Sequence, residues 1–243
     1  MTASLLATID AFAGLDVLAI GEAILDSYFV GTSTRLCQEA PVPVVDVAER
    51  RDHPGGAANT AVNLAALGCR VSFLSVVGDD PEGLLLWGEL QARGVATEHV
   101  LVQAGRRTLA KHRVVAGSQL VVRYDQGDTA AVDARTERRL LDRLAELFPR
   151  CDAVVVSDYR YGVLTGRLIE ALAKLQARTP RLIAVDARDL ADYHSVGVAV
   201  VKPNYGEALR LLGDRTELPD GPRAEAMAAA GEAILDRTGA QIA

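Results

Sequence analysis

The feature that most restricts the fold of this chain is a regular exchange between two periodicities. Short apolar runs at Leu15–Ile20, Val71–Val77, Ala153–Val156, Leu182–Asp186 and Val198–Val201 alternate with helical stretches at Gly56–Leu67, Pro81–Arg93, Arg135–Leu147 and Thr165–Ala177. A run this short and this rich in branched residues reads as a strand buried on both faces. Strands separated by helices pair in parallel, because a parallel connection needs a crossover of a dozen or more residues. The expectation is an α/β fold, a mostly parallel central sheet between helices on both faces. With 243 residues, 49% of them hydrophobic, residues 1–243 suffice for one such domain with a substantial core. Asp79 or Asp80 can cap the second helix, with Pro81 in its first turn.

A second group of segments does not fit that alternation. Pro41–Val47 carries prolines ahead of branched residues, the pattern of an edge strand. Thr108–Val115 and Gln119–Tyr124 flank Ala116-Gly117-Ser118 and read as a hairpin. Together they predict a small separate β-sheet, a lid built from segments near 26–48 and 108–124. Met1–Phe12 reads as a short amphipathic helix and Gly213–Pro222, rich in Asp, Gly and Pro, as a loop.

Charge and cysteine content narrow the partners. A net charge of −6 and a pI near 5.3 give no broad electrostatic reason to bind nucleic acid or an anionic membrane. Cys37, Cys69 and Cys151 are widely spaced and odd in number, so neither a disulfide framework nor a zinc site is suggested, and a reducing cytoplasm is the simplest setting. No apolar segment approaches the roughly 18 to 20 residues that cross a bilayer.

The chemistry-bearing residues cluster after strands. Pro54-Gly55-Gly56-Ala57-Ala58-Asn59 opens a helix through two adjacent glycines, which let a ligand approach the backbone amides closely. Asn59 can offer both a donor and an acceptor to a hydroxyl-rich ligand. Glu22 and Asp26 are expected on the loop past the first strand, placed to accept hydrogen bonds from sugar hydroxyls. Asp158, Asp186, Asn204 and Glu207 follow later strands and are expected at the same sheet edge, with Asn204 and Glu207 three apart at a helix start. Neither GxxxxGK[ST] nor a G-x-G-x-x-G after the first strand is present, which argues against a P-loop kinase and a nicotinamide-dependent oxidoreductase.

Taken together, Gly21-Glu22-Ala23-Ile24-Leu25-Asp26-Ser27-Tyr28, Glu39–Val45, Pro54–Asn59, Ser157–Gly162, Val185-Asp186 and Lys202–Glu207 resemble the ribokinase or PfkB family of carbohydrate kinases. Within it, the similarity is greatest to the kinase part of the heptose phosphate enzymes. The blocks match in order and spacing over nearly the whole chain. The resemblance implies a ribokinase-like three-layer α/β/α fold with a β-lid that often serves as a homodimer surface. It implies ATP-dependent phosphoryl transfer to a sugar hydroxyl, heptose 7-phosphate becoming heptose 1,7-bisphosphate. Asp26, Gly55, Gly56 and Asn59 match positions that hold the sugar, with Lys111, Arg113 and Asp158 as further substrate contacts. Asp186, Lys202, Asn204 and Glu207 fall on the ATP side, where Asn204 and Glu207 organise Mg²⁺ through water. Heptose relatives usually read Gly-Asp at Gly21-Glu22, Ser-Pro at Cys37-Gln38 and Lys at Tyr161; Arg160, Lys111, Arg113 and Arg123 are the cations available to compensate for that lysine. The family's Gly-Ala-Gly-Asp block, with its general-base Asp, is expected beyond Ala243, so no catalytic base is matched and the domain reads as C-terminally incomplete. The alternative is a non-catalytic sugar-binding or regulatory remnant of the same fold.

Overall fold

The computed structural model describes residues 2–213 and 223–243. In chain order the elements are α1 (Thr2–Asp10), β1 (Asp16–Gly21), β2 (Ala23–Leu36), β3 (Pro43–Gly56), α2 (Ala57–Ala66), β4 (Arg70–Gly78), α3 (Pro81–Ala92), β5 (Val100–Gln103), β6 (Leu109–Ala116), β7 (Gln119–Gln126), α4 (Ala134–Leu147), β8 (Ala153–Asp158), α5 (Gly166–Arg178), β9 (Leu182–Ala187), β10 (Val200–Val201), α6 (Tyr205–Leu212), α7 (Arg223–Ala229) and α8 (Gly231–Thr238). Beyond Gly213, the expected loop Gly213–Pro222 lies outside the described residues.

The main sheet has the order β10-β9-β8-β1-β4-β5, and every pairing in it is parallel. Successive residues of a strand point to opposite faces, so β1 divides its side chains between two cores. Leu18 and Ile20 join Leu74, Val154, Val156 and the inward faces of α4 and α5, through Leu140, Leu144, Leu168 and Leu172. Ala19 joins Phe73, Val77, the small residues Ala57, Ala58 and Ala61 of α2, and Leu86 and Leu90 of α3. Burial of that order, at about 25 cal/mol per Å² of apolar surface, is what makes the alternating pattern fold as three layers. The helices begin where their caps dictate: Asp80 accepts from Gly83 N at 2.8 Å ahead of Pro81, and Thr165 accepts from Leu168 N at 3.3 Å.

The second sheet has the order β3-β2-β6-β7, with β2 and β3 antiparallel, β2 and β6 parallel, and β6 and β7 an antiparallel hairpin. As the prolines predict, β3 is an edge strand. The expectation of a loop carrying Glu22 and Asp26 is corrected: Asp26 lies within β2, a strand of 14 residues, and Glu22 sits between β1 and β2. Residues Asp26, Ser27, Thr32, Ser33, Thr34 and Arg35 give this stretch little local strand signal. Up to Gly31 it is extended because β3 and β6 take its backbone hydrogen bonds on both sides, and from Thr32 to Leu36 by pairing with β3 alone. The short strand β5 also has no counterpart in the sequence reading; it joins the edge of the main sheet through β4. All three cysteines are free, and among the described residues no helix is long and apolar enough to cross a membrane.

Candidate functional site

The parallel main sheet aims the C-terminal ends of its strands at one edge, and the second sheet rises from that edge through β2 and β6. Asp26 on β2 stands beside Lys111 on β6 and His53 on β3, and Tyr28 beside Arg113 and Arg51. Register partners share a face, so these side chains form one polar face of the lid. There, Arg113 Nη1 donates to Asp26 Oδ1 at 2.5 Å. Burial works against the guanidinium charge, but the hydrogen bond and charge of Asp26 outweigh it and raise the Arg113 pKa. A Cβ at position 55 would overlap Asp26 Oδ2, so only glycine lets the carboxylate lie across the β3 backbone. Next to it, Gly56 takes φ +57°, the left-handed region that favours glycine, and turns the strand directly into α2. Gly55 and Gly56 thus end β3, and Gly56 is at the same time the N-cap of α2. Asn59 is exposed on the first turn of α2, and the neighbouring Thr60 hydroxyl lies 3.0 Å from Ser157 Oγ at the end of β8.

The loop after β8 is held from within. Glu22 is fully buried: Oε2 accepts from Tyr159 N at 2.7 Å and Oε1 from Val163 N at 3.2 Å. Burial, and then the charge of Asp158, push its carboxyl up. Glu22 therefore does not offer its oxygens to a sugar, as the loop reading had it, because backbone amides occupy both. Asp158 is also buried, accepting from Arg160 N at 2.7 Å and from Tyr193 OH at 2.8 Å; burial raises its carboxyl as well. The residue lines a cavity of about 630 Å³ together with Arg160, Gly162 and Asp192. Tyr159 and Tyr161 stack with centroids 6.4 Å apart. Lys111 Nζ rests 5.6 Å from the Tyr159 centroid, and the Arg188 guanidinium 4.9 Å from that of Tyr161, whose hydroxyl accepts from Arg188 Nη2 at 3.0 Å.

On the far side of the edge, Asp186 at the end of β9 pairs with Lys202 at 3.3 Å. Asn204 caps α6: its side chain accepts from Glu207 N at 3.0 Å, and Glu207 Oε2 accepts from Asn204 N at 2.8 Å. This reciprocal pair leaves a free carboxylate oxygen on Glu207, a partly buried residue at a helix start. No group of three or more His, Cys, Asp or Glu able to hold a metal is present among the described residues. A single carboxylate fits only a cation such as Mg²⁺, which keeps most of its waters and takes one or two carboxylates together with substrate phosphates.

Of the residues predicted from sequence, Asp26, Gly55, Lys111 and Arg113 meet on the lid. Asp186 and Lys202 meet each other, and so do Asn204 and Glu207. Asp158 turns instead to Tyr193, and Asn59 stands on its own turn. The sequence pattern misses the structural part of Glu22, the whole part of Tyr193 and Arg188, and Arg106, a buried residue whose guanidinium donates to Tyr161 O at 2.8 Å. Arg188 follows Asp186 by two residues, a signal available in the sequence; Arg106 and Tyr193 sit in stretches without a pattern.

Residues 15–239 match the model of the pfkB family carbohydrate kinase. Among curated proteins, the chain is similar to the bifunctional protein HldE of Desulfatibacillum aliphaticivorans, 35% identical over 230 residues, covering 95% of this chain and 46% of that protein. It is 37% identical over 224 residues to the bifunctional protein HldE of Geobacter sulfurreducens, covering 91% and 44%. The chain thus spans less than half the length of these curated relatives. Among solved structures, the tetrameric inhibited form of phosphofructokinase-2 from Escherichia coli superposes with a TM-score of 0.69 at 20% identity, over 94% of this chain and 72% of that one. Ribokinase from Cryptococcus neoformans in complex with ADP superposes with a TM-score of 0.61 at 17% identity, over 92% and 68%.

Proposed function

The chain belongs to the pfkB family of carbohydrate kinases, and from that premise we propose that it binds a sugar phosphate under the lid and transfers a phosphoryl group to it from ATP. The substrate we infer is a heptose 7-phosphate, phosphorylated at its anomeric hydroxyl to the 1,7-bisphosphate. The observation that carries this reading is the joint between Asp26 and Gly55, a carboxylate lying on bare backbone at the edge where the lid meets the sheet.

Asp26 and Asn59 orient the acceptor through its hydroxyls, while Gly55 and Gly56 let the sugar approach the start of α2. Lys111, Arg113 and Asp158 complete the acceptor side, and Lys111, drawn over Tyr159, faces the substrate phosphate. The acceptor oxygen attacks the terminal phosphorus of ATP, the bond from that phosphorus to the ADP oxygen breaks, and the hydroxyl proton leaves to a base or to solvent. Asp186, Lys202, Asn204 and Glu207 serve the nucleotide side, and Glu207 and Asn204 would hold Mg²⁺ through its waters. When bound, that ion neutralises charge on the phosphates, and such transfer depends mainly on positioning and charge neutralisation. The same reading includes a cytoplasmic setting and a homodimer through the lid, whose exposed Leu120, Val122 and Tyr124 are supporting features.

The test is calorimetric titration with D-glycero-D-manno-heptose 7-phosphate, alongside release of ADP from ATP in the presence of Mg²⁺. The expected result is sugar-phosphate binding together with turnover. Binding without turnover would assign the chain to sugar binding alone, and no binding across a panel of sugar phosphates would overturn the reading.

A further inference from the structure

The loop between β8 and α5 is held by two buried charged side chains that the proposed transfer does not use. Glu22 takes two of its amides, Tyr159 N and Val163 N, at 2.7 and 3.2 Å. Arg106, itself buried, takes a carbonyl between them: Nη2 donates to Tyr161 O at 2.8 Å. The same guanidinium donates to Asp128 O at 3.0 Å and Ala130 O at 2.9 Å, on the segment by which the lid strand β7 returns to α4. A fourth group of the loop, Gly162 O, accepts from Val132 N of that return segment at 3.0 Å. The backbone carbonyl of Glu22 accepts from Ala57 N, at the start of α2, at 2.9 Å. Burial disfavours the charge on Arg106, while Asp128 and then Glu22 support it.

We infer that Glu22 and Arg106 are the positioning pair of the acceptor site, locking the root of the lid, the loop carrying Tyr159 and Tyr161, and the glycine start of α2 into one frame. Three segments distant in sequence converge here, and each carries part of the proposed sugar site: Lys111 on the lid, Tyr159 beneath it, and Gly56 and Asn59 beside them. Buried backbone groups must find partners. A charged acceptor and a charged donor supply them with stronger hydrogen bonds than neutral side chains would. The seat of Lys111 on Tyr159 thereby depends on a carboxylate that a sugar cannot reach. Neither residue touches substrate in this account; both act through Tyr159 and Lys111. The inference rests on the sugar-phosphate reading given above.

The experiment compares Glu22→Gln and Arg106→Lys with Ile183→Val, a trimmed side chain in the core beneath the sheet, as the reference for simple loss of stability. Each variant is titrated with D-glycero-D-manno-heptose 7-phosphate well below its unfolding midpoint, and amide hydrogen exchange is followed at Tyr159 and Val163. Replacing the charge-assisted hydrogen bonds that fix the loop by weaker ones is expected to weaken binding about tenfold in E22Q, and several-fold in R106K, with faster exchange at both amides. I183V should lower the melting temperature and leave the affinity of the wild type. If E22Q does not fold, R106K, which keeps the charge and loses the fork, decides the matter by the same two measurements. Wild-type affinity in E22Q or R106K, with only the melting temperature lowered, overturns the inference. Failure of the wild-type chain to bind the sugar phosphate overturns the reading beneath it, and the inference with it.

Discussion

On the lid side of the sheet edge, Asp26 is fixed by contacts from other strands: Arg113 on β6 and the bare backbone of Gly55 on β3. On the opposite side, Asn204 and Glu207 satisfy each other within a single helical turn, and Asp186 and Lys202 form a pair at the ends of adjacent strands. The surroundings of Asp26, the proposed acceptor side, are therefore a product of long-range packing, whereas on the proposed nucleotide side the Asn204–Glu207 pair is assembled from local hydrogen-bonding rules and only Asp186–Lys202 needs two strands. A site of the first kind is preorganised and intolerant of added volume. One of the second kind can be altered at modest cost, because the lost partner is replaced by water.

The largest effect that would test this contrast is expected at Gly55. In Gly55→Ala the new methyl displaces the Asp26 carboxylate, and a misplacement of about an ångström is expected to lower sugar-phosphate affinity about 100-fold by calorimetry. An affinity within threefold of wild type would remove the distinction. Next comes Asp26→Asn. It loses a charge-assisted hydrogen bond worth about 2 kcal/mol, about thirtyfold in affinity for the sugar phosphate. Its melting temperature should fall as well, because Arg113 loses a charged partner in a pair only about a quarter exposed, but by less than the loss in binding, since Asn keeps a neutral acceptor for the guanidinium. Equal losses of stability and binding would make Asp26 a structural residue instead.

A smaller effect is expected on the nucleotide side. Asn204→Ala removes the cap of α6 and should cost about 1 kcal/mol in a denaturant titration. ATP affinity should fall a few-fold and sugar-phosphate affinity should stay unchanged; a matching loss of sugar affinity would show that the halves are not independent.

The smallest effect is in pH dependence. Burial raises the carboxyls of Glu22 and Asp158, so these groups bind more protons folded than unfolded. Their contribution is fully present below the ordinary carboxylate range and declines as pH rises through the raised values. The exposed acids Asp16, Glu49 and Glu146, lowered by hydrogen bonds from Arg70, Arg51 and Arg143, act oppositely, and what they add is lost as pH falls through that range. Denaturation midpoints measured from mildly acidic to neutral pH should fall less steeply in Asp158→Asn than in the wild type. An unchanged slope would show that Asp158 takes no part in it.

The same contrast governs what could be read from the chain. The strands of the main sheet other than β5, the helix cap at Asp80, and the helix start carrying Asn204 and Glu207 were legible because each depends on neighbours within a few residues. β2 was not, because its polar second half is extended only through pairing with β3. Glu22 read as a loop acid open to a sugar for a related reason: nothing adjacent to it in sequence shows that Tyr159 N and Val163 N, more than 130 residues away, close over its carboxylate.

By itself, then, the sequence determined a parallel α/β core, a lid with β3 at its edge, and a glycine-opened approach to α2, since periodicity, proline and glycine act through local backbone sterics. Only the tertiary structure decided which charges stand at the sheet edge and which are consumed in holding the frame. Arg113 became the partner of Asp26, Lys202 that of Asp186, and Glu22 and Arg106 were buried against backbone. The physical reason is that burial and pairing of a charge depend on segments brought together by the whole fold, while a residue's type records only that it carries one.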